Sequence, residues 1–219
     1  MTPDPGRAQS DLYRPAFVHN CFDLLVRAHR GLKGMSLSNE EEPSITGLLV
    51  QRAKQEIESE AAESWMEHLE VLDDPPQNDQ TDRLGKKRSR IDIEFVETGR
   101  GQRPRFHVEA KRLYRADSVG EYFGAGGLVM FLTGSYAAGW PSAAMLGYVQ
   151  TKSCPEWRAS IAGRFSRNST ELRACPDKKH PSNPGWTTEG LGEVQASCHE
   201  RTPANLGPIE VFHLLLDCR

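Results

Sequence analysis

The sequence has no long apolar run and no large excess of charge of either sign. None of its apolar stretches approaches the ~18 consecutive residues of a membrane-spanning helix. The first ten residues carry charges and prolines in place of the apolar segment of a secretory signal. With 27 Lys and Arg against 30 Asp and Glu, the net charge is −3, which excludes nucleic-acid binding by bulk positive charge alone. We therefore expect a cytoplasmic protein without membrane contact.

Cysteine is sparse, and its spacing shows no pairing. The five cysteines are odd in number and widely separated, without a Cys-x-x-Cys motif, which is unlike a disulfide framework. A scattered zinc set can be drawn from Cys154, Cys175, His180, Cys198 and His199. Zinc ligands usually come in pairs two to four residues apart, so we do not favour that site.

The length is that of one globular domain. A chain of 219 residues buries roughly 70% of the surface that its unfolded form exposes, which is enough for one sizeable core. We therefore treat residues 1–219 as a single domain.

Helical spacing of apolar residues dominates the first third of the chain. Residues 13–32 repeat apolar side chains at i, i+4 and i+7, and glycines follow. A second helix is predicted from Pro43, which suits a first-turn position, to about Leu72. The polar, proline-containing segment 73–87 is predicted to be a loop.

Two strands joined by a turn are predicted next. Residues 90–96 and 105–113 both alternate apolar and polar side chains, as a half-buried strand does. The turn Thr98-Gly99-Arg100-Gly101 separates them, so the pair is interpreted as a hairpin. Its polar face is expected to be exposed.

The rest of the chain mixes helix and strand. Residues 119–138 have a glycine-containing helical pattern. Residues 143–149 resemble a short buried strand, and residues 156–165 are predicted to form a helix. Residues 167–193 are irregular, and 209–217 form an apolar run of strand length. The order predicts an α/β sandwich with a small mixed β-sheet flanked by helices.

Two carboxylates and one amine are predicted on the polar face of the hairpin. Asp92 lies on the first strand, and Glu109 and Lys111 lie two residues apart on the second. Mg²⁺ prefers oxygen ligands and is often held by one or two carboxylates together with substrate phosphate. A metal and a nearby Lys are together suited to phosphodiester hydrolysis.

The segments RIDIEF and FHVEAKRL resemble the PD-(D/E)xK nuclease superfamily. Ile91 stands where the nominal motif has proline. The resemblance covers residues 40–150, with 151–219 as a C-terminal elaboration, and implies a restriction-endonuclease-like fold. It implies Mg²⁺, replaceable by Mn²⁺, bound by Asp92, Glu109 and the Ala110 carbonyl with help from Glu42 on the first core helix. It also implies catalytic roles for Asp92, Glu109, Lys111 and Glu42.

A closer resemblance is to small standalone nucleases of bacterial defence and restriction systems. The matching segments are YFGAGGLVMF, the MLGY strand, SCHER and HLLLD. This resemblance implies a DNA endonuclease acting in anti-phage defence. The superfamily resemblance implies a homodimer that cuts both strands, and an ATPase or helicase partner is expected if the chain is a non-catalytic subunit of a defence complex.

Further residues are candidates for contact with DNA. They are Lys86, Lys87, Arg88, Arg90 and Gln150. The basic residues suit phosphate binding, although a solvated charge run is the ordinary reading. His107 and Glu94 share the predicted polar face, and His199 and Arg201 have no clear placement.

Two alternatives stay open at this point. An acidic-x-Lys triplet occurs by chance in a chain of this size, as Asp177-Lys178-Lys179 in a proline-rich segment illustrates. The chain could therefore be a silent or partner-gated nuclease-like subunit that binds DNA or protein. An RNA or nucleotide hydrolase would use the same metal chemistry.

Overall fold

The structure is a computed structural model that describes residues 15–77, 89–99, 103–176, 187–188, 192–202 and 204–219. The described helices are α1 (Pro15–Arg30), α2 (Glu42–Ile57), α3 (Ser118–Phe123), α4 (Leu128–Leu132) and α5 (Cys154–Arg167). The described strands are β1 (Leu69–Asp73), β2 (Ile93–Glu97), β3 (Arg105–Leu113), β4 (Ser142–Val149), β5 (Thr187–Thr188), β6 (Gly192–Glu193), β7 (Gln195–His199) and β8 (Ile209–Asp217).

Six strands form one mixed sheet in the order β1-β2-β3-β4-β8-β7. β1, β2 and β3 pair antiparallel, β3, β4 and β8 pair parallel, and β7 pairs antiparallel with β8. Helices α3 and α4 connect β3 to β4, as a parallel pair requires a crossover. The predicted α/β architecture with a mixed sheet is confirmed at this level.

Helices cover both faces of the sheet. On one face Phe22 of α1 meets Phe106 and Phe212 edge-on, with ring centroids 5.5 and 5.6 Å apart. On the other face α3, α4 and α5 bury a second cluster that includes Tyr122 and Trp157. Every residue of β4 is buried as a result, the pattern of a strand covered on both sides.

Local sequence signals explain where the long helices begin. Pro43 lies in the first turn of α2, where its missing N–H breaks no helical hydrogen bond. Before α5, Ser153 and Glu156 form a capping box in which each side chain meets the other's backbone N–H. α1 ends at Arg30, just before Gly31, as predicted.

The structure corrects two secondary-structure predictions. The helix predicted over 43–72 ends at Ile57, and residues 69–73 instead form β1 at the sheet edge. Strand β7 was not predicted, because its residues QASCH carry no apolar alternation. Both strands are defined by pairing with another strand of the sheet, β1 with β2 and β7 with β8.

The predicted glycine-containing helix over 119–138 is two short helices. Gly127 separates α3 from α4. A Cβ at this position would collide with the backbone carbonyl of Tyr122. The close approach of two backbone segments therefore requires glycine here.

The predicted hairpin is confirmed, but its polar face is not exposed. Ile93 lies opposite Val108 in the β2–β3 register. His107 and Glu109 of β3 are only 3% and 4% exposed, and Glu94 of β2 is 2% exposed. The segment from α3 through residue 140 covers this face, which strand alternation alone does not reveal.

The expectation of unpaired cysteines is wrong. Cys175 and Cys198 form a disulfide, brought together by an isolated bridge between Ala174 and His199. The pairing also removes two members of the scattered zinc set, and His180 lies outside the described residues.

The disulfide also bears on the expected location of the protein. Cysteine usage no longer supports a cytoplasmic location, because structural disulfides persist in oxidising compartments. Within the described ranges no helix is long and apolar enough to cross a membrane.

Candidate active site

Antiparallel pairing of β2 and β3 places Asp92 beside Glu109. Asp92 directly precedes β2, and its Oδ2 accepts a hydrogen bond of 2.7 Å from the backbone N–H of Ala110. This bond fixes the Asp92 carboxylate against the strand that carries the other predicted residues. The sequence pattern predicted this juxtaposition.

Lys111 joins the predicted residues into one cluster. Its Nζ donates to Glu109 Oε1 at 2.8 Å, to Glu42 Oε1 at 2.9 Å and to the Ala110 carbonyl at 2.6 Å. Glu109 and Lys111 share a strand face because they are two residues apart on β3. The four predicted catalytic residues, and the Ala110 carbonyl, therefore lie together.

Glu42 reaches the cluster from the first residue of α2. Its Oε2 accepts a hydrogen bond of 3.1 Å from the Arg112 backbone N–H. The segment before α2 is held by Gln150, whose Nε2 donates at 2.8 Å to the carbonyls of both Leu37 and Glu40. Gln150 is 5% exposed, so its contacts are internal ones and do not support the predicted contact with DNA.

The cluster carries more negative than positive charge. Three carboxylates, those of Glu42, Asp92 and Glu109, surround the single ammonium of Lys111. Burial raises the pKa of Asp92, and burial together with the charge of Asp92 raises the pKa of Glu109 well above its usual range. Although burial opposes it, the charges of Glu109 and Glu42 raise the pKa of Lys111. An additional cation would relieve this imbalance.

One carboxylate oxygen of the cluster has no partner. Glu109 Oε2 is buried and accepts no hydrogen bond, while Oε1 of the same carboxylate contacts Lys111. The Glu109 carboxyl group is close enough to Asp92 to donate a hydrogen bond to it when Glu109 is protonated. A buried unpaired carboxylate oxygen is costly in free energy. With Asp92 and the Ala110 carbonyl nearby, the available donors are all oxygens, which suits Mg²⁺ or Mn²⁺.

The carboxylates are not arranged as a closed metal cage. Among the described residues, no three His, Cys, Asp or Glu side chains converge in the manner of a ready-made metal site. Glu42 is directed to Lys111 and to the Arg112 backbone. A Mg²⁺ site that uses two carboxylates and completes its shell with water and substrate phosphate needs no such cage.

Glu94 and His107 lie on the same strand face but outside the cluster. Glu94 forms an ion pair with Arg105, and its Oε1 lies 3.6 Å from His107 Nε2. Burial, with the positive charge of Arg105, lowers the pKa of His107 to about 3. Strand alternation predicted that Glu94 and His107 share this face. It did not predict that Glu94 pairs with Arg105 and lies close to His107.

The predicted basic cluster is described only in part. Arg90 is exposed and forms an ion pair of 2.6 Å with Asp74, so its charge is partly compensated. Lys86, Lys87 and Arg88 lie outside the described residues, and their predicted contact with phosphates stays a prediction.

Sequence reasoning missed Tyr136. Its hydroxyl donates a hydrogen bond of 2.6 Å to the Arg90 carbonyl. Burial, followed by the negative charges of Glu109 and Asp92, raises its pKa, which places the phenol near both carboxylates. The segment LTGSYAAGW around it carries no periodic signal that distinguishes a site residue from a loop residue.

A second buried polar cluster, here called the histidine network, consists of Tyr122, Ser197, His199 and His213. The Ser197 hydroxyl lies 2.7 Å from a ring nitrogen of each histidine. His213 Nδ1 meets the Tyr122 hydroxyl at 3.0 Å, and His199 Nδ1 meets the Leu172 carbonyl at 2.6 Å. Every ring nitrogen of the network thus has a partner, which excludes His199 as a zinc ligand in this arrangement.

Arg201 is likewise a structural residue. Its guanidinium donates to the carbonyls of Ala137, Trp140, Leu206 and Gly207. These contacts join the loop before β4 to the turn before β8. The hydrogen bonds of His199 and Arg201 lead to Ser197, Leu172 and these loop carbonyls, and not to the active-site cluster.

Comparison of the chain with models of protein families, with curated proteins and with solved structures found no match in any of the three.

Proposed function

We propose that the chain is a metal-dependent endonuclease of the PD-(D/E)xK superfamily that hydrolyses phosphodiester bonds of DNA. The observation that carries the proposal is the Glu109 carboxylate. One of its oxygens is bound to Lys111 at 2.8 Å, while the other is buried without a partner in a cluster with excess negative charge. Such a carboxylate is suited to hold a divalent cation beside a substrate phosphate.

The connectivity of the site is a second support. A helix with an acidic first residue precedes three antiparallel strands, and a helical crossover leads to a parallel fourth strand. Asp92 lies at the second of these strands, and Glu109 and Lys111 lie on the third. This is the order of helix, Asp strand, Glu-x-Lys strand and helix that the resemblance leads one to expect. It supports a restriction-endonuclease-like fold.

Each residue has a role that follows from its position. Asp92, Glu109 and the Ala110 carbonyl would hold Mg²⁺, which when bound neutralises charge on the phosphoryl oxygens and makes a water more acidic. Glu42 keeps Lys111 in place through their 2.9 Å contact. Tyr136 is itself buried and lies near Glu109 and Asp92, so it would limit the access of solvent to these carboxylates.

Lys111 acts as an ammonium in this proposal. The carboxylates of Glu109 and Glu42 raise its pKa, so the side chain is a hydrogen-bond donor and not a base in the metal-free cluster. It would orient the attacking water and stabilise the negative charge that develops on the phosphate. The orienting role is thereby favoured over deprotonation of the water.

A plasmid nicking assay tests the proposal. The full chain is incubated with supercoiled DNA in Mg²⁺, Mn²⁺ or EDTA, beside Lys111→Ala and the matched control Lys54→Ala, which alters an exposed lysine of α2. We expect nicking that requires metal, falls roughly 100- to 1000-fold in Lys111→Ala, and is unchanged in Lys54→Ala.

Four outcomes would contradict the proposal or redirect it. Cleavage in EDTA, or full activity of Lys111→Ala, would show that the assigned site is wrong. DNA binding without cleavage under every condition would favour a silent or partner-gated subunit. Cleavage of RNA in place of DNA would keep the chemistry and change the substrate.

A further inference from the structure

A cavity of about 220 Å³ lies against β2 and β3, next to the candidate active site. Its charged lining comes from Glu94 and Arg105, and His107 also lines it. His107 and Glu109 are two residues apart on one face of β3, so the cavity begins about 7 Å along the strand from the active-site carboxylate.

The cavity and the active site share a wall. Ser135 and Ala137 line the cavity, and Tyr136 between them hydrogen-bonds the Arg90 carbonyl, just before Asp92. The side chain of Tyr136 therefore lies between the cavity and the active-site carboxylates, and the two spaces are neighbours along β3.

The polar groups of the cavity favour a neutral ligand. Glu94 and Arg105 form an ion pair, so their charges cancel, and an anionic phosphate would gain little from entering. His107 is 3% exposed, and its Nδ1 is buried without a hydrogen-bond partner. A buried nitrogen without a partner is rare in native proteins, so a hydrogen-bond donor that reaches His107 would be favoured.

On the basis of the proposed function, we propose that this cavity receives an amino-bearing base of the nucleotide that adjoins the phosphate at the active site. The Glu94 carboxylate and a ring nitrogen of His107 can accept hydrogen bonds from an exocyclic amino group, while Arg105 can donate to a base carbonyl or ring nitrogen. Trp140, a further lining residue, offers an indole for base stacking.

This assignment predicts which bases are preferred. Adenine, cytosine and guanine carry an exocyclic amino group, whereas thymine and uracil do not. The volume of about 220 Å³ is below the range typical of drug-sized ligands, which suits one base and not a folded peptide segment. The pocket therefore selects a chemical group and does not select a long sequence.

Pairs of oligonucleotides that differ in one exocyclic amino group measure how much this group contributes to binding. Fluorescently labelled single-stranded octamers that contain guanine or hypoxanthine, and cytosine or uracil, are titrated with the full chain in EDTA while anisotropy is recorded. The guanine and hypoxanthine octamers differ only in the amino group. We expect about 10-fold tighter binding of the amino-bearing member of each pair.

Two variants locate the preference in the cavity. His107→Leu removes the ring nitrogens, and Ala138→Phe fills the cavity from a half-buried loop position. Both should bring the affinity ratio within each pair to about one. Ala159→Phe, the same change at an exposed position of α5, should keep the ratio of the wild type. Melting curves verify folding, and Ala138→Phe tests the proposal where His107→Leu fails to fold.

The outcomes separate this proposal from the proposed function. Equal affinities within each pair for the wild type would overturn the pocket, even where metal-dependent cleavage is observed. The pocket would also be overturned if neither the wild type in EDTA nor Glu109→Gln in Mg²⁺ bound any of the oligonucleotides. A preference for amino-bearing bases that Ala138→Phe abolishes would support the pocket, even where no cleavage occurs.

Discussion

The active-site cluster and the histidine network lie on the same face of the sheet but differ in how completely their atoms are paired. Met145 of β4 stands opposite Glu109 on β3 and opposite His213 on β8, so the two clusters are separated by one strand. In the network both ring nitrogens of His213 have hydrogen-bond partners. In the active site Glu109 Oε2 has none.

The histidine network and the active-site cluster also differ in the charge of their buried groups. Burial lowers the pKa of His199 to about 4 and, together with the charge of His199, lowers that of His213 to about 3. The network is therefore neutral and costs no buried charge. The active site concentrates three carboxylates around one ammonium. A complete, neutral set of buried polar groups indicates structure, whereas an incomplete, charged set indicates function.

Glu109→Gln should separate activity from stability most clearly. Losing one carboxylate of the metal site should lower metal-dependent cleavage roughly 100- to 1000-fold. Because burial and the charge of Asp92 disfavour the ionised form of Glu109, a Gln that cannot ionise avoids this penalty, and the free energy of unfolding should stay the same or rise. Nicking rates and urea unfolding measure the two effects.

The matched control for this variant is Glu70→Gln, at an exposed position of β1. It should change neither rate nor stability. A strongly destabilised Glu109→Gln with normal cleavage would reverse the roles assigned to the two clusters.

The two clusters should respond to pH with opposite sign. The usual pKa of histidine is 6.5, and the folded values of His199 and His213 lie below it. The unfolded chain therefore binds more protons as the pH falls from 6.5 toward 4. The free energy of unfolding should fall by on the order of 2–3 kcal/mol per pH unit for these two groups.

Glu109 should make the free energy of unfolding fall at alkaline pH. Its pKa is raised by burial and by the charge of Asp92 above the ordinary value of 4.5, so the folded protein retains a proton that the unfolded chain releases. Stability from this group is lost as the pH rises above 4.5. Urea unfolding between pH 4 and pH 9 should show a maximum, and Glu109→Gln should weaken the alkaline decline. A flat profile would contradict both assignments.

Ser197→Ala should have the smallest effect and should affect stability alone. The change removes the hydroxyl that contacts a ring nitrogen of both His199 and His213 at 2.7 Å. Leaving these buried atoms without a partner should cost about 1–2 kcal/mol. The nicking rate per folded molecule should match the wild type, and Ser59→Ala on the surface should leave both quantities unchanged. A loss of cleavage in folded Ser197→Ala would assign the network a part in catalysis.

The strands with the clearest patterns were predicted with their observed bounds. β3 and β8 match the predicted ranges 105–113 and 209–217, because one alternates regularly and the other is a largely apolar run of strand length. β1 was missed because Leu69 and Leu72 also fit the helical spacing that precedes them. Its strand character comes from pairing with β2, which no local pattern contains.

The residues of the candidate site were predicted better than their environment. Strand alternation was enough to bring Asp92, Glu109 and Lys111 together. It did not reveal that the loop around Tyr136 covers them, or that Glu109 is 4% exposed. Burial by a segment distant in sequence depends on tertiary packing, so the unpaired oxygen and the raised pKa of Glu109 could not be predicted.

The disulfide between Cys175 and Cys198 makes the intervening segment a closed covalent ring. The ring spans 23 residues of sequence separation and ends on β7, which is hydrogen-bonded to β8. A single cut in the backbone between the two cysteines would therefore yield two polypeptides that migrate as one until a reductant is added. The last two strands of the sheet would stay tethered to the rest of the molecule.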